Sequence, residues 1–378
     1  MLKLKLLTTV LAVGIGAAMF AACTPPPKVL AGAGSDTIFW VMSGSTVTQG
    51  TPPAHPAKGI SDNYNASQTA AKTYEIPPVL TAPFPGPTYT VPAGPSGDAC
   101  NTATVYNGSN PPPNGSSAGI TALVNDTNGC IDWARSSRGS KAGDPANLSF
   151  WAFALDAVSW MRFPENTHRV FNLTPDQLTK IYTCDPATHL PFISNWNQVG
   201  GTAGTIVKYA PQTSSGTYSF VNSKLLGGAT IDQNCSSAHL STFLEEHDAT
   251  GVSAANKPNA ILFFSYGQWT AQKNGKLVDL RNEGTLGQIN GVAPSTSTIN
   301  ETAGRFFGTR YVYNVTKSTT PDLSAVLDFV GVKSGGPGYI CNDKAHSTLL
   351  NFGVIPLALG GTGAGLPNSE CRLNPVPL

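Results

Sequence analysis

Three short segments of this chain combine glycine with hydroxyl side chains where a helix is expected to start. They are Gly32-Ala33-Gly34-Ser35-Asp36-Thr37, Asn114-Gly115-Ser116-Ser117-Ala118-Gly119 and Thr213-Ser214-Ser215-Gly216-Thr217. Small residues let the backbone approach a ligand, hydroxyls donate hydrogen bonds, and a helix start offers unpaired N–H groups that attract anions. Each segment alone is also what ordinary helix capping requires. Convergence of the three would make an anion-binding site.

The segments lie in a pattern of alternating strands and helices, which is typical of α/β proteins with mainly parallel sheets. The nearly all-apolar run at residues 147–160 predicts a strand buried on both faces. Thr174-Pro175-Asp176 predicts a helix start, because it offers an N-cap, a proline at the first helical position and an early acid. Residues 43–99 are rich in proline and predict loops with at most one short helix, near residues 66–74.

The N-terminus has the order of a secretory signal. Lys3 and Lys5 precede an apolar stretch that is too short to span a membrane, and small residues lead to Cys23. This resembles a bacterial lipobox, in which Cys23 is lipidated and becomes the mature N-terminus. The alternative is cleavage near Ala22 that leaves Cys23 free. Residues 24–31 then read as a stiff, proline-rich tether.

Composition narrows the class of protein further. Only 12% of the 378 residues are charged, and the formal net charge is +1. A nucleic-acid partner is disfavoured, since that requires a clustered basic face. The length allows two lobes with a cleft between them, and such a cleft is a common ligand site. We expect an exported monomer.

Cysteine usage agrees with an oxidising compartment. Apart from Cys23 there are six cysteines, an even number that indicates three disulfides in an exported chain. They are spaced as three successive pairs, so we expect pairing between sequence neighbours. A zinc site is the competing interpretation, but the chain has no Cys-x-x-Cys. The predicted bonds are Cys100–Cys130, Cys184–Cys235 and Cys341–Cys371.

An ordered set of motifs resembles one known family. The set includes Gly34-Ser35-Asp36-Thr37, Asn114-Gly115-Ser116-Ser117-Ala118-Gly119-Ile120, Asp132-Trp133-Ala134-Arg135-Ser136-Ser137-Arg138 and Ser215-Gly216-Thr217. In this order they are similar to the PstS-like phosphate solute-binding proteins of ABC transporters. The resemblance runs from about residue 32 to the mid-350s, apart from the proline-rich insert.

This resemblance implies a two-lobed periplasmic-binding-protein fold, type II-like, with two crossings between lobes near residues 152–158 and 305–315. Lobe 1 would comprise residues 32–155 and 310–378, with the proline-rich insert at about 44–99. Lobe 2 would comprise residues 156–309. Residues 1–23 would be the lipoprotein signal.

The resemblance also implies a function and a set of ligand-binding residues. The protein would hold inorganic phosphate or a related oxyanion on the outer face of the cytoplasmic membrane and pass it to an ABC permease. No cofactor, metal or catalysis is expected. The hydroxyls and amides that would hold the anion belong to Ser35 and Thr37, Ser116 and Ser117, and Ser215, Gly216 and Thr217.

Two departures from the family affect the charged groups of the site. Ser137 stands where the family has an acid that accepts the proton of phosphate, and Pro211-Gln212 stands where it has an arginine before the Ser-Gly-Thr turn. Arg135 and Arg138 could supply the cation instead, and Asp36 could supply the acceptor. The alternatives are that Asp36 caps a helix and that one arginine is a solvated surface residue.

A serine hydrolase is the rival hypothesis. Gly115-Ser116-Ser117-Ala118-Gly119 matches the Gly-x-Ser-x-Gly nucleophile elbow, with Ser117 as nucleophile and His239 or His346 downstream. The elbow needs a strand that runs directly into the serine, and Pro111-Pro112-Pro113 occupies that position. A third option is a surface lipoprotein that keeps the fold without a transport role.

Overall fold

The computed structural model describes residues 28–43, 58–68, 71–76, 89–95, 98–300, 302–359 and 369–378. The predicted signal, Cys23 and most of the proline-rich insert lie outside these residues. The strands are β1 (Lys28–Gly34), β2 (Ala71–Glu75), β3 (Tyr89–Val91), β4 (Thr104–Tyr106), β5 (Trp133–Ser136), β6 (Leu148–Arg162), β7 (Asn172–Leu173), β8 (Val207–Pro211), β9 (Thr242–Leu244), β10 (Ala260–Ser265), β11 (Thr285–Leu286), β12 (Gln288–Ile289), β13 (Thr309–Lys317), β14 (Val332–Lys333), β15 (Gly336–Pro337), β16 (Ile355–Pro356) and β17 (Arg372–Leu373).

The α-helices are short and are distributed along the whole described chain. They are α1 (Phe39–Met42), α2 (Ile60–Ser67), α3 (Ser116–Asn125), α4 (Pro175–Tyr182), α5 (Gly216–Phe220), α6 (Tyr266–Lys273), α7 (Thr296–Asn300), α8 (Leu323–Val330) and α9 (His346–Asn351). The predicted start of α4 is confirmed, because Thr174 and Gln177 form a reciprocal capping box and Pro175 occupies the first turn. No helix in the described ranges is long and apolar enough to cross a membrane.

One large mixed sheet organises the molecule, in the order β2-β1-β5-β13-β6-β10-β8-β9. The flanks are parallel, as the sequence predicts for most of the sheet, through β2-β1-β5 and β10-β8-β9. The centre differs, because β13 pairs antiparallel with β5 and β6, and β10 pairs antiparallel with β6. The first part of β6, up to Ala157, pairs with β13, and the part that begins at Val158 pairs with β10. A single strand therefore joins the two parts of the sheet.

Two segments differ from the sequence-based expectation. Residues 28–31, predicted as tether, form the start of β1, since Leu30 and Ala31 are buried in the core. Within the proline-rich insert, α2 precedes β2, which pairs in parallel with β1. Alternating burial along β2 explains this pairing, because every second side chain packs inward. Residues 28–31 and 71–75 therefore contribute to the core, although composition marks both regions as irregular.

The cysteine prediction is confirmed. Disulfides join Cys100 to Cys130, Cys184 to Cys235 and Cys341 to Cys371, with S–S distances of 2.08, 2.04 and 1.98 Å. Each bond closes a loop within one region of the chain. In the chain-entropy model such loops each stabilise the fold by roughly 3–4 kcal/mol.

Candidate functional site

Five buried hydroxyl side chains from four segments of the chain meet at one place. The oxygen of Thr37 lies 3.4 Å from that of Thr217 and 3.5 Å from that of Ser137. The hydroxyls of Ser116 and Ser137 lie 3.3 Å apart. We call this set, each member of which is at most 3% exposed, the hydroxyl cluster: Thr37, Ser116, Ser137, Ser215 and Thr217. The structure thus brings together the three segments that the sequence selects.

Glycines allow two of these segments to approach each other. Gly34 ends β1 with φ of 118°, and a Cβ there would lie 2.6 Å from the carbonyl oxygen of Arg135. Gly119 on α3 packs directly on Gly34, so a side chain at Gly119 would collide with the β1 backbone. Because neither residue has a side chain, α3 lies against the end of β1 and brings Ser116 toward Thr37.

The third segment begins α5. The hydroxyl of Ser215 accepts a hydrogen bond from the backbone N–H of Thr217 at 3.0 Å, which is a normal N-cap contact. A Cβ on Gly216 would collide with the hydroxyls of Ser116 and Ser137. The glycine is therefore required for the segment to enter the hydroxyl cluster.

Arg310 is the cation at the cluster, and the sequence-based reasoning missed it. Its Nη1 donates to Thr217 Oγ1 at 2.8 Å, while Nη2 and Nε donate to Asp156 Oδ2 at 2.9 and 3.2 Å. Arg310 is 2% exposed and Asp156 is fully buried. Asp156 also accepts from Ser265 Oγ at 3.0 Å and from the Gly267 N–H at 2.9 Å. This network on β6, β13 and the start of α6 fixes the guanidinium.

Glu246 is the acid at the cluster, and it too was missed. Its carboxylate accepts from Thr217 Oγ1 at 2.6 Å, from Ser215 Oγ at 3.0 Å, and from the hydroxyl of Thr37. Burial and the charge of Asp36 raise the pKa of the Glu246 carboxyl above its ordinary value. The only signal in the sequence was the run Glu245-Glu246-His247-Asp248, which is unusual in a chain so poor in charge.

The two arginines selected from the sequence are engaged by partners outside the hydroxyl cluster. Arg135 is fully buried, pairs with Glu75 on β2, and donates to the backbone carbonyls of Gly32, Gly34, Ser35 and Ile76. Arg138 makes a bidentate pair with Asp144, at 2.7 and 3.0 Å. Both guanidinium groups are thereby committed to structural contacts, and Arg310 contacts the cluster in their place.

The remaining predicted residues flank the cluster. Ser35 is fully buried and its hydroxyl has no hydrogen-bond partner among the described residues. Ser117 accepts a hydrogen bond from Arg138 Nε at 3.4 Å. The residues before Ser117 form a loop with one isolated bridge, at Asn114, rather than the strand that a nucleophile elbow requires. The geometry therefore gives the hydrolase hypothesis no support.

Asp36 faces a second group of polar side chains rather than the hydroxyls. Its Oδ2 lies 3.5 Å from Nδ1 of His247, and Glu245 is close to both. Burial raises the pKa of Asp36, but the approach of His247 and Glu245 outweighs it and holds that pKa below the ordinary range. Burial and the charge of Asp36 raise the pKa of Glu245 to about 11. These three residues are the ones in the described part of the chain that could hold a metal ion together.

Comparison with known proteins places the chain in a family. A family model described as a PBP superfamily domain matches residues 96–331, and the chain belongs to this superfamily. The comparison with curated proteins gives no match. The predicted α/β, two-lobed periplasmic-binding-protein fold is confirmed, while the lobe boundaries given above stay a prediction.

Two solved structures show the same fold. One is an ABC-type phosphate transport receptor from Vibrio cholerae, with 16% identity, a TM-score of 0.52, and coverage of 86% of this chain and 99% of that chain. The other is described as a phosphate ABC transporter substrate-binding protein with bound phosphate, from Clostridium perfringens. It has 15% identity, a TM-score of 0.54, and coverage of 87% and 100%.

Proposed function

We propose that this protein is an extracytoplasmic solute-binding protein that captures inorganic phosphate for an ABC importer. The observation that carries the proposal is the hydroxyl cluster with Arg310 beside it. Five neutral donors and one guanidinium directed at a single buried place suit a small tetrahedral oxyanion, because charge-assisted hydrogen bonds are the strong ones. The solved structures with the same fold are named for phosphate, which supports this choice of ligand.

Binding requires the cluster to open. Its hydroxyl oxygens touch one another and three of them donate to Glu246, so the donors are engaged within the protein. We infer that an anion enters when the segment at Ser215 and Thr217 moves away from Thr37 and Ser137. The lobes would then close on the ligand, as in other hinged binding proteins.

Glu246 is the best candidate for the acid that the family has at the position of Ser137. At neutral pH phosphate carries a proton and can donate a hydrogen bond to a carboxylate, whereas sulfate has no proton and would meet repulsion. The sequence suggested Asp36 for this role. The hydrogen bonds favour Glu246, because its carboxylate contacts Thr37, Ser215 and Thr217 directly.

Calorimetric titration with phosphate and with sulfate tests ligand and acceptor together. We expect the wild type to bind phosphate and reject sulfate, and Glu246→Gln to shift the sulfate-to-phosphate affinity ratio toward sulfate by about 10- to 100-fold. This corresponds to a charged hydrogen bond worth roughly 1.5–3 kcal/mol. Glu283→Gln, the same change at an exposed site, is the matched control.

The outcomes separate the assignments. If Asp36→Asn shifts the ratio and Glu246→Gln does not, the acceptor is Asp36, as the sequence suggested. Absence of phosphate binding by the folded wild type would refute the proposed function itself.

We further propose that Cys23 is lipidated and tethers the protein outside the cytoplasmic membrane. The basic, apolar and small residues that precede it support this. Cys23→Ala should release the protein into the medium, as measured by fractionation and immunoblotting. If the variant stays in the membrane fraction, the anchor assignment is wrong.

A further inference from the structure

A buried polar group beside the hydroxyl cluster is not used by the proposed function. It consists of Asp36, Glu245 and His247, which we call the acid–histidine group. Asp36 is fully buried, His247 is 3% exposed and Glu245 is half-buried. One ligand atom from each residue can be chosen so that all three atoms lie within 4.8 Å of one another.

Three polar atoms of this group make no well-aligned hydrogen bond to the described residues, although Nδ1 of His247 and Oδ2 of Asp36 face each other at 3.5 Å as a loose ion pair. They are both carboxylate oxygens of Asp36 and Nδ1 of His247. Buried polar atoms without a partner each cost about 1–3 kcal/mol, so native proteins rarely leave several together. A ligand that contacts all three atoms would remove this cost.

The charges of the region indicate which kind of ligand is missing. Asp36, Glu245 and Glu246 bring three carboxylates into one buried place, while Arg310 is paired with Asp156. The imidazole of the acid–histidine group can carry one positive charge. With these three carboxylates ionised and the imidazole charged, two negative charges remain in the region. A divalent cation would compensate the charge directly.

We propose that Asp36, Glu245 and His247 bind a divalent transition-metal ion of the zinc type. One imidazole nitrogen with two carboxylates is a donor set that Zn²⁺ accepts, whereas Mg²⁺ and Ca²⁺ prefer oxygen ligands alone. The 3.5 Å between His247 Nδ1 and Asp36 Oδ2 is a separation that two neighbouring ligands of one ion can adopt. This site departs from the sequence-based expectation of no metal.

A supporting shell already orients Glu245. Its Oε1 accepts from Asn114 Nδ2 at 3.0 Å and from Gln212 Nε2 at 2.9 Å, and its Oε2 lies 2.8 Å from the same Gln212 nitrogen. Amide donors hold the carboxylate in place and leave lone pairs for a metal. Such outer contacts are typical of metal sites in proteins.

Calorimetric titration with Zn²⁺ alone tests the proposal on the full folded protein. The protein is stripped with chelator, dialysed into a non-coordinating, phosphate-free buffer, and titrated with zinc chloride and, for comparison, magnesium chloride. We expect one Zn²⁺ per chain and much weaker Mg²⁺ binding. Asp36→Asn and His247→Gln should each weaken Zn²⁺ binding at least about 10-fold.

The matched control is His346→Gln, because His346 pairs with Glu370 in a second histidine–carboxylate contact that includes none of the three proposed ligands. It should leave the Zn²⁺ affinity unchanged. If Asp36→Asn fails to fold, the isosteric change Glu245→Gln at the less buried ligand replaces it. Circular dichroism checks the fold of each variant.

Two results would overturn the proposal. One is the absence of saturable Zn²⁺ binding by the wild type. The other is Zn²⁺ binding of unchanged affinity in folded Asp36→Asn and His247→Gln. Because no phosphate is present, either result leaves the proposed function untouched.

Discussion

Replacement of Arg310 by glutamine isolates the cation of the proposed phosphate site. The change removes the donor to Thr217 at 2.8 Å and the two donors to Asp156. If the guanidinium contacts the bound anion, phosphate loses one charge-assisted hydrogen bond, worth roughly 1.5–3 kcal/mol. The dissociation constant should therefore rise by about one to two decades.

The same substitution also lowers stability, because it leaves Asp156 buried without its cation. Removal of one partner of a buried ion pair costs about 3–5 kcal/mol. Asp156 keeps its hydrogen bonds from Ser265 and Gly267, so we expect the lower end of that range. The double variant Arg310→Gln/Asp156→Asn should recover much of this stability but none of the lost affinity.

Calorimetry gives the affinity and urea unfolding gives the stability of each variant. Arg138→Gln is the matched control, since Arg138 also forms a nearly buried bidentate pair, with Asp144. It should cost stability and leave phosphate affinity near that of the wild type. A wild-type dissociation constant for folded Arg310→Gln, with weakened binding for Arg138→Gln, would refute the assignment of Arg310.

Two other changes test the packing around the site and the electrostatics of the core. Gly216→Val should abolish phosphate binding in a folded protein, because the valine side chain would collide with the hydroxyl cluster. Calorimetry measures the affinity and circular dichroism checks the fold. Unchanged affinity in the folded variant would contradict this prediction. Burial raises the pKa of Asp132 to about 7, while an unfolded aspartate titrates near 4. The unfolded state therefore loses its proton first, and the free energy of unfolding should fall by up to about 4 kcal/mol between pH 4 and pH 7 and level off above that. Urea unfolding across this range should show that Asp132→Asn lacks this contribution, and an identical pH dependence in both proteins would count against the raised pKa.

Local sequence chemistry predicted much of the fold. The start of α4 follows from Thr174 and Pro175 alone, since a cap and a fixed backbone angle act over a few residues. The apolar run that became β6 was equally clear, because it is buried on both faces. Glycine and hydroxyl residues at helix starts likewise identified Thr37, Ser116, Ser215 and Thr217, but not their convergence. Ser137 was selected only through the family resemblance.

The charged residues of the site could not be predicted in the same way. Arg135 pairs with Gly34 at the end of β1, next to the first hydroxyl segment. Its ion-pair partner Glu75, however, belongs to a region that composition marked as loop. Arg310 reaches Thr217 across 93 positions of sequence, and Glu246 reaches Thr37 across 209. Strand register between distant parts of the chain determines which charged side chain lies beside the hydroxyl cluster. Local sequence spacing carries no information about that register.

The pairing of β6 has a consequence for the time at which this protein can fold. On one side of β6, Leu155 and Ala152 pair with β16 and β17 near the far end of the described chain. Phe150 and Asn374, which bond each other, are 224 residues apart in sequence. Contacts this distant form slowly, and here they cannot form before residues 355–374 have been synthesised. The nascent polypeptide thus lacks a completed central strand until those residues have been made. For the exported protein proposed above, this delay keeps the chain loose enough to pass through a translocation channel before it acquires its final structure.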